Sequence, residues 1–225
     1  MTSRMDEPSD RTALLSALTT EHFVLQTANN STYSESSARS SLYVMALSSS
    51  VVAMGFVAGS TELLVPFATI SLPAVFFLGI FTVVRLVETA LESMQYMIGI
   101  ARIRGYYRTL GPEAAHYFAP RFGRWPEAES PALRFGSRLA YFGTTASMVA
   151  VINNVVAGVA VALLTYFLRP AAPAWMGAGA GIAGAVLLTW LFYVYQRWRF
   201  DDFEARVGRR AEDAGGATQP NVNAD

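Results

Sequence analysis

The sequence predicts an all-α, polytopic membrane protein: four transmembrane helices in two hairpins, with a long cytoplasmic extension of the second helix. Three observations carry this. Hydrophobic residues make up 52% of the chain and charged residues 15%, against about 25% charged in an ordinary soluble domain. The apolar residues are gathered into long runs, which suits hydrocarbon as the solvent better than a water-surrounded core. The segments between the runs are rich in arginine and fall on one side of the inferred membrane.

Residues 1–41 form a cytoplasmic N-terminal segment, partly helical. Its first eleven residues are polar and read as a start without structure. Leu14, Leu15, Leu18, His22 and Leu25 fall at helical spacing, which predicts a helix to about Ala28. Residues 29–41 are rich in Ser and Thr and are either a break or a polar helical lead into the membrane. No charged n-region followed by an apolar stretch stands at the start, so a cleavable signal peptide is not expected.

The first transmembrane hairpin covers residues 42–87. Its first span, 42–60, carries small residues along one face at Ser48, Val52, Gly55 and Gly59, a pattern that lets another helix approach closely. The second span, 64–87, has Pro66 near its start, where the missing N–H is tolerated. Pro73 lies further in and is expected to kink the helix or set a short non-α turn. Beyond residue 87 the apolar face continues through Leu91, Met94, Ile98 and Ile103, so the helix should leave the bilayer and run to about Leu110. Gly111-Pro112 then ends it.

Residues 88–138 combine this cytoplasmic helix with an irregular Arg/aromatic loop containing Pro112, Pro120, Pro126 and Pro131 and room for one short helix. The second transmembrane hairpin, 139–198, has spans at 139–168 and 174–198, turned by Arg169-Pro170-Ala171-Ala172-Pro173. Residues 199–225 form a cytoplasmic tail, largely disordered beyond Ala211.

Arginine placement sets the orientation. All 17 basic residues are Arg, a composition that reads as codon usage in a GC-rich genome. Three lie in the N-terminal segment, eight in the stretch between spans two and three when Arg85 at its edge is counted, and five at the C-terminal end from Arg197 onward; the two hairpin turns hold only Arg169. Sixteen against one places both termini in the cytoplasm of a protein crossing the inner (plasma) membrane several times. Tyr166 and Trp175 near one boundary, and Trp190, Tyr193, Tyr195 and Trp198 near the other, fit interfacial anchoring.

Several residue sets invite a functional reading. Arg102, Arg104, Arg108, Arg121, Arg124, Arg134 and Arg138 are interleaved with Tyr106, Tyr107, Phe122 and Trp125. They are candidate contacts for anionic lipid headgroups, and the same guanidinium forks and rings suit an anionic ligand such as a nucleotide. In span three, Thr144, Ser147, Asn154 and Thr165 lie on a polar stripe with Val151, Gly158 and Ala162. Polar groups in hydrocarbon need partners, so the stripe either hydrogen-bonds a neighbouring helix or lines an ion path. Gly179-Ala180-Gly181-Ile182-Ala183-Gly184 matches a dinucleotide-binding pattern, but it sits inside an apolar helix with no strand before it. Gly177, Gly181 and Gly184 are better read as helix-packing positions, within the chain or in a homo-oligomer. Arg85, Glu88 and Glu92 share a face and read as an ion-pair ladder.

Chemistry is sparse. The net charge is zero, so no nucleic-acid partner is expected. No Cys is present, which removes disulfides, thiolate nucleophiles and Cys-ligated metals. His22 and His116 are the only histidines and lack metal-site spacing. No nucleophile elbow or Ser/His/Asp arrangement is present. The expectation is a non-enzyme with no catalytic, cofactor or metal residues.

The stretches Glu21-His22-Phe23-Val24-Leu25-Gln26-Thr27-Ala28 and Ser34 through Tyr43 resemble the front end of uncharacterised actinobacterial four-helix membrane proteins. The polar lead through Glu35, Ala38 and Arg39 into the first hairpin is similar to that of Pycsar-type transmembrane effectors of bacterial anti-phage defence. That resemblance implies membrane disruption driven by a cytoplasmic nucleotide signal. Two other readings stand beside it: a small channel or transporter using the polar stripe, and a membrane scaffold or accessory subunit.

Overall fold

A computed structural model of the chain describes residues 8–119 and 144–216. Among them every regular element is helical. We label the helices α1 (Pro8–Val57), α2 (Thr61–Arg108), α3 (Pro112–Tyr117), α4 (Thr145–Leu168) and α5 (Ala174–Gly216). Four of them, α1, α2, α4 and α5, are long and apolar enough to cross a membrane. They turn large apolar side chains outward, including Phe56, Ile70, Phe81, Leu168 and Ile182. Such faces are exceptional for a chain surrounded by water and ordinary for one surrounded by lipid.

Length separates the helices. At 1.5 Å per residue, the 24 residues of α4 span about 36 Å, close to the thickness of a bilayer's hydrocarbon. The 50 residues of α1 and 48 of α2 reach about 75 and 72 Å, more than twice that thickness. The long extension expected for the second helix is therefore present, and α1 has one of its own.

Helix α1 starts at Pro8, inside the segment expected to lack structure, and continues without interruption through residues 29–41. The physical reason lies in its hydroxyls. Thr19, Thr20, Ser34 and Ser40 donate to the carbonyls four residues back, and Thr32 to that of Asn29. These side chains are satisfied inside the helix instead of competing with its backbone. Pro73 likewise sets no non-α turn in α2, which runs as α-helix through both Pro66 and Pro73. Helix α5 extends to Gly216, past the expected end of order near Ala211. Before that point, charge pairs at helical spacing, Arg197 with Asp201 and Asp202 with Arg206, support the exposed part of the helix.

Compact packing divides the chain into two units. The first comprises residues 1–49 and 81–146, in which α1 and α2 pair antiparallel. The second comprises residues 50–80 and 147–225, in which the start of α2 packs with α4 and α5. The turn between α4 and α5 closes tightly: the amide of Arg169 donates to Thr165, and that of Ala172 to Arg169. Gly111-Pro112 ends α2 as expected, and Pro112 opens α3 at the position where a proline's missing N–H costs nothing.

Candidate functional site

In the first unit, α1 and α2 are joined by a ladder of polar contacts. The hydroxyls of Thr19 and Tyr107 lie 3.4 Å apart. Ser93 donates to the Asn29 side-chain carbonyl at 2.7 Å. Gly99 lets Leu25 approach so closely that a Cβ there would sit 3.0 Å from Leu25 Cδ1. Partners on α2 fall in number as those on α1 rise, as antiparallel pairing requires.

The ladder ends at its most highly charged point. Arg85 Nε and Nη2 donate to the two carboxylate oxygens of Glu35 at 2.7 and 3.2 Å. Arg85 Nη1 reaches Glu92 at 2.9 Å, and Arg39 Nε reaches Glu35 at 2.8 Å. The bidentate fork is the strong geometry for this pair. Hydrogen bonding from Arg85, then from Arg39, holds the Glu35 carboxyl far below the ordinary range, at about 2. Glu35 is therefore a permanent anion at neutral pH and a lock between helices, unsuited to proton transfer. The expected Arg85–Glu92 pairing is present. The decisive partner, Glu35, comes from another helix. Its signal in the sequence was Arg85 itself, set between Val83-Val84 and Leu86-Val87, where a cation requires a carboxylate.

The Arg/aromatic cluster is described only in part. Arg102, Arg104 and Arg108 stand in the last turns of α2; Arg121, Arg124, Arg134 and Arg138 lie outside the described residues. Phe118, just past α3, was not anticipated. Arg104 lies over its ring at 5.8 Å, Arg108 donates to its carbonyl at 3.4 Å, and Tyr107 packs against it at 5.4 Å between centroids. Arg104 and Arg108 thus hold α3 against α2, while Arg102 is exposed.

In the second unit, the polar stripe of α4 meets partners on α5. Ser147 donates to Gln196 at 3.1 Å, and Asn154 Nδ2 donates to Thr189 at 3.1 Å. Ser147, Asn154 and Gln196 are all buried. Thr165 donates to the carbonyl of Val161 in its own helix, and Thr144 precedes α4 at a half-buried position. Asn153 points the other way, toward α2, where a Cβ on Gly79 would lie 2.0 Å from its amide oxygen. The two asparagines therefore tie α4 to two different helices. Gln196, Thr189 and Gly79 were missed because their importance depends on what they face.

The glycines divide sharply. A Cβ on Gly181 would lie 2.4 Å from the Gly158 carbonyl oxygen, and one on Gly158 2.6 Å from that of Gly181. Gly177 faces Ala162 in the same way at 3.1 Å. Gly158 and Ala162 on α4 thus interlock with Gly177, Gly181 and Ala185 on α5, and this packing is within the chain. Gly184 has only an ordinary contact with Val161, and Gly179 has open space. The small-residue stripe of the first span differs from expectation: nothing lies within 4 Å of a Cβ at Gly55 or Gly59.

Among the described residues no group of His, Cys, Asp or Glu is arranged to hold a metal ion. Comparison of the chain with protein-family models, curated proteins and solved structures gave no match.

Proposed function

We propose that the chain is a non-enzymatic, multi-pass protein of the inner (plasma) membrane that acts through helix association, relaying a cytoplasmic nucleotide signal into disruption of the bilayer. Both termini and the Arg/aromatic segment face the cytoplasm in this reading, which the sixteen-to-one arginine distribution supports. The observation that carries it is the length of α1 and α2. Both helices continue far beyond what the hydrocarbon needs, and Glu35, Arg39, Arg85 and Glu92 lock them together at the edge of the spans. A continuous helix pair transmits a displacement at its outer end to the segments in the membrane. Arg102, with Arg121, Arg124, Arg134 and Arg138, is offered to anionic headgroups or to the nucleotide. Homo-oligomerisation would use the outward face of α1 around Gly55 and the turn that follows it at Gly59.

The polar stripe supports packing more than conduction, because Ser147 and Asn154 spend their hydrogen bonds on α5.

Controlled expression in a bacterial host, read with a potential-sensitive dye, tests the proposal. Collapse of membrane potential and growth arrest are expected, with Glu35→Gln altering the threshold. Normal potential and growth at full expression, with and without cyclic nucleotides, would overturn it and favour the scaffold reading.

A further inference from the structure

Beside the α4–α5 turn lies a cavity of about 270 Å³. Its walls come from Val159, Ala162 and Leu163 on α4 and from Ala174, Gly177 and Ala178 on α5. Arg169 stands at its edge. This is the one arginine that the sequence places on the outward side. No carboxylate among the described residues pairs with its guanidinium, although the backbone N–H of Arg169 is bonded to Thr165. The first turn of α5 borders the same cavity; of its leading N–H groups, that of Met176 donates to the Pro173 carbonyl at 2.9 Å, and the helix's positive end faces the same side. The site therefore combines an apolar slot, an unpaired cation and a helix end that favours negative charge. Exposed Tyr166 and Trp175 flank it, as aromatic residues do at the level of lipid headgroups.

We propose that this cavity binds one anionic phospholipid of the outer leaflet, with its phosphate on Arg169 and the upper part of an acyl chain along the groove beside the α4–α5 contact. Two features favour lipid over a small soluble anion. Apart from Thr165, Tyr166 and Arg169 the lining is apolar, which a hydrated phosphate does not use. The slot also lies along helices that turn apolar side chains outward, where acyl chains are the surrounding medium. The inference rests on the reading of α4 and α5 as membrane-crossing.

The test uses the full chain carrying Trp125→Phe, Trp190→Phe and Trp198→Phe, so that Trp175 beside the cavity is the sole tryptophan. It is reconstituted in phosphatidylcholine vesicles containing brominated phosphatidylglycerol or brominated phosphatidylcholine, and quenching is compared. Phosphatidylglycerol should be preferred by about fivefold, the effect of one cation near a headgroup. Arg169→Gln should erase the preference and Arg169→Lys should retain part of it. Ala178→Phe, which fills the slot and leaves the charge, should also reduce it. Equal quenching by the two lipids in the parent would overturn the inference, as would an unchanged preference in Arg169→Gln or in Ala178→Phe. Loss of the preference on adding inorganic phosphate would also overturn it, because the site would then take the free anion. Absence of quenching by either lipid would instead remove the membrane-crossing reading on which the inference stands.

Discussion

At single residues, the α4–α5 contact depends on atoms that are absent. Gly181→Ala places a methyl against the Gly158 carbonyl, and should lower stability by about 1–3 kcal/mol as the helices shift apart. Gly179→Ala, two residues earlier, meets nothing and should be neutral or stabilising by up to about 1 kcal/mol. Unfolding of the two variants by SDS titration checks the contrast. Asn154→Leu removes the bond to Thr189 and should cost about 0.6–1.7 kcal/mol. Ion flux through liposomes containing it should match the parent; a changed flux would restore the ion-path reading of the stripe. Glu35 carries a pH dependence whose sign is fixed by its lowered pKa. The folded chain holds this proton less readily than the unfolded chain, so the contribution of Glu35 is complete above about 4.5 and disappears as pH falls through about 2. Nitroxides on Ser31→Cys and Gln95→Cys should therefore report a constant α1–α2 distance at every pH above about 4.5. Glu35→Gln should broaden that distance at neutral pH.

At the level of elements, the helices prove more continuous than their composition suggested. The Ser/Thr-rich stretch of α1 was ambiguous because the same hydroxyls either compete with the backbone or bond back to it. Local sequence does not choose between these; packing against α2, with Asn29 on Ser93 and Thr32 buried, does. Continuity is needed if α1 is to bring Glu35 to Arg85. Ser36→Pro should break it, costing about 3 kcal/mol or more, lowering the thermal midpoint and widening the same nitroxide distance. Ser37→Ala, at an exposed neighbour, should stay within about 0.5 kcal/mol. The end of α5 was misjudged for a related reason. Its Gly- and Ala-rich composition resembles a tail, yet the helix that the Arg197–Asp201 and Asp202–Arg206 pairs support upstream carries on to Gly216.

At the level of the whole molecule, orientation is the property most open to a direct check. The chain has no cysteine, so each introduced thiol is a unique label site. Ala172→Cys, in the α4–α5 turn, should react with a membrane-impermeant maleimide in intact cells. Gly208→Cys, with open space around it, should react only after permeabilisation. The reverse pattern would invert the topology and move the Arg/aromatic segment away from a cytoplasmic signal.

What the sequence determined by itself was the class of the molecule: four helices able to cross a membrane, two turns, an extended second helix and an arginine asymmetry. These are legible because transfer into hydrocarbon adds up along the chain, one residue at a time, and needs no knowledge of neighbours. The tertiary structure alone decided the partners. It joined Arg85 to Glu35, fifty residues away, gave Ser147 and Asn154 their acceptors on α5, and separated Gly181, which must be glycine, from Gly179, which need not be. Each of these depends on the register and close approach of distant segments. Packing and hydrogen bonding fix that register through shape, and a one-dimensional pattern of polarity does not contain it.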